Sequence, residues 1–285
     1  MPGSPYTDLD RPPLSRDALS RALVVPGGLW TKLDLRTETG STNADVAAAA
    51  RAGAAEGLVV VAERQTAGRG RLGRVWQSPA RAGLAVSVLL RPVRAAAVHH
   101  GWLPLLVGVA AVEAVAKVAR AEASLKWPND LLIGGRKLAG ILAEAVPGPR
   151  GQPEESAVVV GIGLNVTVRA DELPGPEATS LLLAGAESTD RDPLLRELLR
   201  GLARWYERWR DAAGDPEASG LRRAYLDRCD TVGQDVRVML PDGQDLVGEA
   251  ATVDEVGRLV VIDLDGTRQV VAAGDVVHLR PNFDS

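Results

Sequence analysis

Cysteine occurs once in this 285-residue chain, at Cys229, so no intramolecular disulfide and no cysteine-rich zinc site can form. Histidine is nearly as scarce. His99, His100 and His278 have no ligand-like spacing with carboxylates, and no metal site held by the protein itself is expected. Aromatic residues make up 4% of the chain and the net charge is -4, which together argue against a protein whose main role is to coat nucleic acid. Lysine is the rare cation. Only Lys32, Lys117, Lys126 and Lys137 stand among 33 basic residues, the rest being arginine. The first 20 residues carry Pro2, Pro5, Pro12 and Pro13 and lack both a basic start and an apolar run, so they read as neither export signal nor membrane span. A disordered arm over 1–28, a cytoplasmic location and no membrane partner are the resulting expectations.

What is present is enough for a core: 46% of residues are hydrophobic and 25% charged, the profile of a soluble enzyme with one large domain and one small. Ser41, Thr42 and Asn43 precede an alanine-rich helix, and Leu58 to Glu63 reads as a buried strand. A second strand runs from Leu84 to Leu90, a buried helix from Trp102 to Arg120, and two strands over Asp130 to Val146 meet at Gly134 and Gly135. Another apolar strand, Ala157 to Val168, contains Gly161 and Gly163, and two further helices span Pro193 to Asp211, with Asp192 as cap, and Ala218 to Arg228. From Thr231 the pattern becomes short alternating strands separated by PDGQ, DEVGR and DLDGT turns. The expected fold is α/β, a mixed and mostly antiparallel sheet with helices on one side over 29–230, then a small SH3-like barrel over 231–285.

Chemistry concentrates in two segments. Gln65 to Trp76, QTAGRGRLGRVW, spells G-x-G-x-x-G through Gly68, Gly70 and Gly73, yet Arg74 to Pro79 make a poor helix start and no carboxylate occurs between Glu63 and Glu113. A dinucleotide fold needs both a helix and an acid at those places. The segment instead offers a pliable backbone bearing Arg69, Arg71 and Arg74, suited to closing over a ligand with developing negative charge. In the second segment, KWPNDLLIGGRKLAG, two of the four lysines, Lys126 and Lys137, accompany Asp130. A lysine is a point charge that approaches a phosphoryl or carboxylate oxygen where a planar guanidinium does not fit. The Gly-Gly turn can return Lys137 toward Asp130, although WPND by itself is also an ordinary turn.

GRGRLGRVW, then KWPNDLLIGGRKLAGILAE, then GIGLNV, with STN upstream, resembles the biotin protein ligases in order and spacing from about Ser41 to the C-terminus. The resemblance implies a class II synthetase-like catalytic domain and an enzyme that makes biotinyl-5'-AMP from biotin and ATP with Mg2+. Biotin then passes to one lysine of a biotin carboxyl carrier domain, without nucleic acid as a partner. It further implies that Arg69, Arg71 and Lys137 offset the repulsion between the biotin carboxylate and the α-phosphate, and that Asp130 orients or deprotonates the acceptor lysine. Ser41, Thr42, Asn43, Gln65, Gly68, Trp76, Gly140 and Gly163 join Arg69, Arg71 and Lys137 in the implied biotin site. Ser41 and Thr42 read equally as a helix N-cap, and Trp76 as a core residue. The implied ATP site comprises Gly70, Arg71, Gly73, Arg74, Trp76, Lys126, Asn129, Lys137 and Asn165, with Lys126 ranked second to Lys137.

Some members of that family carry an amino-terminal winged helix-turn-helix and repress transcription. The 40 residues before Ser41 show no such pattern, so repression is not carried over. Arg280, in the last expected strand, is a further candidate to reach the site. A lipoate ligase of the same fold is the nearest rival reading, with a nucleic-acid module and a dinucleotide-dependent dehydrogenase behind it.

Overall fold

Strand β2 (Leu58–Ala62) is apolar at all five positions and buried throughout. Successive side chains of a strand point to opposite faces, so such a strand needs a cover on each. The computed structural model, which describes residues 11–92, 95, 97–148, 156–240, 243–272 and 274–279, supplies both covers. On one face helix α2 (Thr42–Arg51) packs Val46, Ala47 and Ala50 with Leu58, Val60, Leu89, Val146 and Val159. On the other, Val59, Val61, Val86, Val88 and Ile162 join a core built with α3 (Trp102–Ala114) and α4 (Arg191–Asp211). Helices therefore lie on both faces of the sheet, not on one side as the sequence suggested.

The large sheet runs β1-β2-β3-β7-β6-β5-β4, where β1 is Lys32–Arg36, β3 Gly83–Leu90, β4 Ser124–Lys126, β5 Asp130–Ile133, β6 Arg136–Val146 and β7 Ala157–Asn165. Only β1 and β2 pair in parallel; every other neighbour is antiparallel. Gly134 and Gly135, both at positive φ, close the β5–β6 hairpin where the sequence placed it. Helix α3 buries eleven of its thirteen residues and continues through a π-helical turn to Ala119. Helix α4 starts two residues earlier than its sequence suggests. Asp190, rather than Asp192, caps it, and Pro193 falls in the first turn, where a missing N–H leaves no intrahelical bond unmade.

The amino-terminal arm is a correction. Within 11–28, Ser15 caps helix α1 (Arg16–Leu23), whose Leu19 and Leu23 are buried. The preceding residues form a strap. Arg11 donates to Glu172 and to the carbonyl of Thr167, Leu14 N–H donates to Glu63 at 2.6 Å, and Arg191 bonds both Glu63 and the carbonyl of Pro12. Prolines suit an extended strap of this kind, and the partners that order it lie more than 45 residues away in sequence.

After the short helix α5 (Leu221–Leu226), strands β8 (Asp235–Met239), β9 (Asp245–Val253), β10 (Leu259–Asp263), β11 (Arg268–Val271) and β12 (Asp275–His278) form an antiparallel sheet ordered β11-β10-β9-β8-β12. Two tryptophans dock it on the larger unit. Trp127 donates from its backbone to Thr231 Oγ1 at 3.0 Å and from its indole to the carbonyl of Gly257, and the Trp102 indole donates to the carbonyl of Glu255. Gly101 permits the approach, since a Cβ there would lie 2.4 Å from the carbonyl oxygen of Val256. Arg280 falls outside the described residues.

Candidate active site

A cavity of about 610 Å³ opens between the large sheet, the segment after β2 and the edge of the small sheet. One end is lined by the neutral polar side chains of Ser41, Thr42, Asn43 and Gln65. Ser41 caps α2 through its side chain, so the N-cap reading and a place in the cavity wall hold together. Thr42 N–H donates to Gln65 Oε1 at 2.8 Å, and Ser87 Oγ lies 2.7 Å from Thr42 Oγ1 and 2.6 Å from Asn43 Oδ1. Asn43 Oδ1 can only accept, so the Ser87 hydrogen points there, and the one Thr42 hydroxyl hydrogen is shared between Ser87 Oγ and Gln65 Oε1, which lies 3.1 Å away. Asn43 Nδ2 donates to Glu144 at 2.7 Å. This cluster is pre-arranged by its own hydrogen bonds.

Gln65 to Trp76 folds as a hairpin rather than as the loose loop its glycines suggested. Arg69 bridges Val75, Gly70 N–H donates to the carbonyl of Arg74 at 2.7 Å, and Trp76 N–H to that of Gly68 at 2.9 Å. The tip is Leu72 and Gly73, both at positive φ, the signature of a primed turn. Gly68 and Gly73 shape this hairpin and do not line the cavity. A Cβ on Gly68 would sit 2.4 Å from the carbonyl oxygen of Trp76, so glycine there lets the two legs cross. The Trp76 indole packs directly on the sheet where Gly140 and Gly163 face each other across β6 and β7. A Cβ on Gly163 would come within 2.4 Å of the indole.

The other end of the cavity is cationic. Antiparallel pairing places Asp130 opposite both Lys126 and Gly140, and Lys137 Nζ lies 2.6 Å from Asp130 Oδ1, an ion pair bent away from hydrogen-bond alignment. Arg71 donates to Asn129 Oδ1 at 3.3 Å, while Asn129 is held by two bonds to the backbone of Ile141. Burial lowers the pKa of Lys126, and the neighbouring charges of Lys137 and Arg74 lower it further against the pull of Asp130 and Asp275. Arg71 is lowered by burial against the pull of Asp275 and Asp130, and Arg74 adds to the fall. Along the cavity wall the cations Arg69, Arg71, Arg74, Lys126 and Lys137 outnumber the carboxylates Asp130, Glu177 and Asp275, the condition that favours an arriving anion. Arg69 pairs with Glu144 at 3.4 Å and Arg74 with Asp275 of β12.

Of the residues singled out from the sequence, Ser41, Thr42, Asn43, Gln65, Arg69, Gly70, Arg71, Arg74, Trp76, Lys126, Asn129, Asp130, Lys137, Gly140 and Gly163 line this one cavity. Asn165 does not. It is buried and donates to the carbonyl of Thr179 at 2.9 Å, tying the end of β7 to the segment beyond it. Sequence reading missed Ser87, Glu144 and Asp275. The available signals were a serine in the otherwise apolar β3 and the glutamate that ends the KWPNDLLIGGRKLAGILAE segment; nothing marked Asp275.

The biotin/lipoate A/B protein ligase family model matches residues 40–165, and the model of the biotin protein ligase C-terminal domain matches 231–279. A biotin--[acetyl-CoA-carboxylase] ligase of Mycobacterium tuberculosis is 47% identical over 96% of this chain and 100% of its own length. The chain belongs to the biotin protein ligase family. The bifunctional ligase/repressor BirA of Escherichia coli is 31% identical to this biotin protein ligase family member, over 77% of the chain and 66% of its own length. A solved biotin protein ligase from Aquifex aeolicus, in complex with biotin and ATP, superposes with a TM-score of 0.69 at 26% identity, covering 88% of this chain and 100% of that one. Every cavity residue named so far lies in the two family-matched segments of this biotin protein ligase.

Proposed function

We propose that this chain is a cytoplasmic ligase that joins biotin to ATP as biotinyl-5'-AMP and then transfers the biotinyl group to one lysine of a carboxylase carrier domain. The observation that carries the reading is a single cavity with a neutral hydrogen-bonding end at Thr42, Asn43 and Gln65 and a cationic end at Arg71, Lys126 and Lys137. Biotin has those two ends. Its ureido ring is a compact set of donors and acceptors that must be satisfied when buried, and its carboxylate is an anion.

In the first step a carboxylate oxygen attacks the α-phosphorus and the bond to pyrophosphate breaks. Two anions must meet, and Arg69, Arg71 and Lys137 offset their repulsion; removing one such donor costs about 3 to 4 kcal/mol of transition-state stabilisation. Arg74, Lys126, Asn129 and the backbone at Gly70 serve the nucleotide. Trp76, seated on Gly140 and Gly163, keeps water from the mixed anhydride. In the second step the lysine amine attacks the acyl carbon, AMP leaves with the bonding pair, and a proton is lost from the amine. Asp130 takes that proton or aligns the amine. No group of three or more His, Cys, Asp or Glu among the described residues could hold a metal ion, and Asp130 already faces Lys137. Magnesium therefore fits as an ion carried by the ATP phosphates, where it neutralises charge and needs few protein ligands.

The test is incubation with ATP and either biotin or lipoate, then mass spectrometry of the adenylate and label transfer to a carrier domain. Biotinyl-AMP and carrier labelling, both reduced on the order of a hundredfold by Arg71→Ala, are expected. A lipoyl adenylate in place of the biotinyl one would replace this reading with its rival.

A further inference from the structure

Ten large hydrophobic side chains stand exposed among the described residues, and four of them gather at one place. Val75, Met239 and Val277 are exposed and also line the cavity, which puts them at its mouth. Leu72, 69% exposed, crowns the hairpin that carries Val75. The lip has two halves, one on the hairpin and one on β8 and β12, where Met239 is the register partner of Asp275. The Arg74–Asp275 ion contact ties the halves together.

Leu72 is placed against its own preferences. Its φ is 54°, a left-handed value better served by asparagine or glycine, and an Asn-Gly tip would make this turn with less strain and no exposed apolar surface. A leucine held there, pointing into solvent, is a feature that the turn itself does not require.

We infer that this split apolar lip receives the carrier domain bearing the acceptor lysine. The inference rests on the acyl-transfer reading above. A lysine amine lies roughly 6 Å from its own Cα, so a protein that delivers its amine to Asp130 must seat its surface on whatever rims the mouth. The neighbouring cations Arg69 and Arg74 are already paired with Glu144 and Asp275, which leaves burial of apolar surface rather than charge to drive the contact.

The full chain carrying Leu72→Asn, Met239→Thr and Val277→Thr tests this, because asparagine eases the turn and threonine suits a strand. Biotinyl-AMP formation without acceptor, discharge of the adenylate by hydroxylamine, and transfer to the carrier domain of an acetyl-CoA carboxylase are measured, the last at two salt concentrations. The carrier KM is expected to rise on the order of tenfold with little dependence on salt, while adenylate formation and hydroxylamine discharge stay within about twofold. An unchanged carrier KM would overturn the inference, and so would a parallel fall in hydroxylamine discharge, which would place these residues in the chemistry instead. Absence of adenylate from the unaltered chain is a different failure, since it would remove the acyl-transfer reading itself.

Discussion

Asp130 and Lys137 form one unit in the free enzyme, 2.6 Å apart, yet the two half-reactions ask different things of them. Adenylate formation needs the ammonium to meet anions. Transfer needs a carboxylate near an amine that is not nucleophilic until it loses a proton. Asp130→Asn is therefore expected to lower transfer by about a hundredfold or more while lowering adenylate formation by less than about tenfold. Single-turnover assays of each half-reaction read the difference, and equal losses would withdraw the role given to Asp130. Lys126 carries a second expectation. Its pKa in the folded protein lies below the ordinary 10.5, chiefly through burial, so the folded chain binds fewer protons than the unfolded one between those values. The penalty is fully present at neutral pH and fades as pH rises toward 10.5. Lys126→Met should then raise the melting temperature at pH 7 by roughly 2 °C or more and weaken ATP binding; a lower melting temperature would mean that the ion contacts outweigh burial. The charged residues of the site were legible in the sequence because their order and spacing are distinctive. Ser87 was not, because its strand reads as ordinary core, and Glu144, although it ends the quoted KWPNDLLIGGRKLAGILAE segment, carried no sign of its partner; both meet Asn43 only because α2 packs on that face of the sheet. Asn165 lies outside the cavity wall, where its amide bonds the carbonyl of Thr179: a motif residue can serve the backbone.

At the scale of elements, the β2–hairpin–β3 unit shows how glycines set geometry that a side chain then uses. Trp76 rests where Gly140 and Gly163 leave the sheet without side chains, and the hairpin hangs from that contact. Gly163→Ala would push a methyl group into the indole, 2.4 Å away, without touching the strand pairing. The expected result is a chain that melts within a few degrees of the unaltered one, but whose hairpin is cut faster by protease between residues 68 and 76 and whose biotinyl-AMP hydrolyses faster. Unchanged cleavage together with unchanged hydrolysis would separate Trp76 from closure. Strand and hairpin positions were readable from apolar runs and the Gly-Gly turn. The order in which seven strands assemble was not, nor was the placement of α2 opposite α3, since both depend on which face of an all-apolar strand each helix claims.

The molecule as a whole depends on how its two sheets are joined. Residues 97–119 are apolar and long enough to cross a membrane by composition alone, yet 72% of the most apolar window is buried inside the protein, against the large sheet and α4. At the junction with the small sheet, Trp127 donates to Thr231 Oγ1, and Thr231 Oγ1 lies 3.1 Å from His278 Nε2. Neutral His278 can accept the threonine hydrogen there; protonated His278 cannot. Burial, and then the charge of Lys126, hold the His278 pKa below its ordinary 6.5 against the pull of Asp230. As pH falls through 6.5 the unfolded chain takes up a proton that the folded chain resists, so stability drops with acidification and is complete only above that value. Melting temperature measured between pH 7 and about 5 should therefore fall, and His278→Gln, which keeps an acceptor but cannot titrate, should reduce that slope to the part contributed by groups such as His100, whose pKa burial also lowers, while leaving the melting temperature at pH 7 within a few degrees. Because Met239, Asp275 and Val277 reach the cavity from the far side of this junction, the same acidification should raise the carrier KM in the unaltered protein more than in His278→Gln. A slope unchanged by the substitution would show that the acid sensitivity arises elsewhere and that the junction does not titrate through His278.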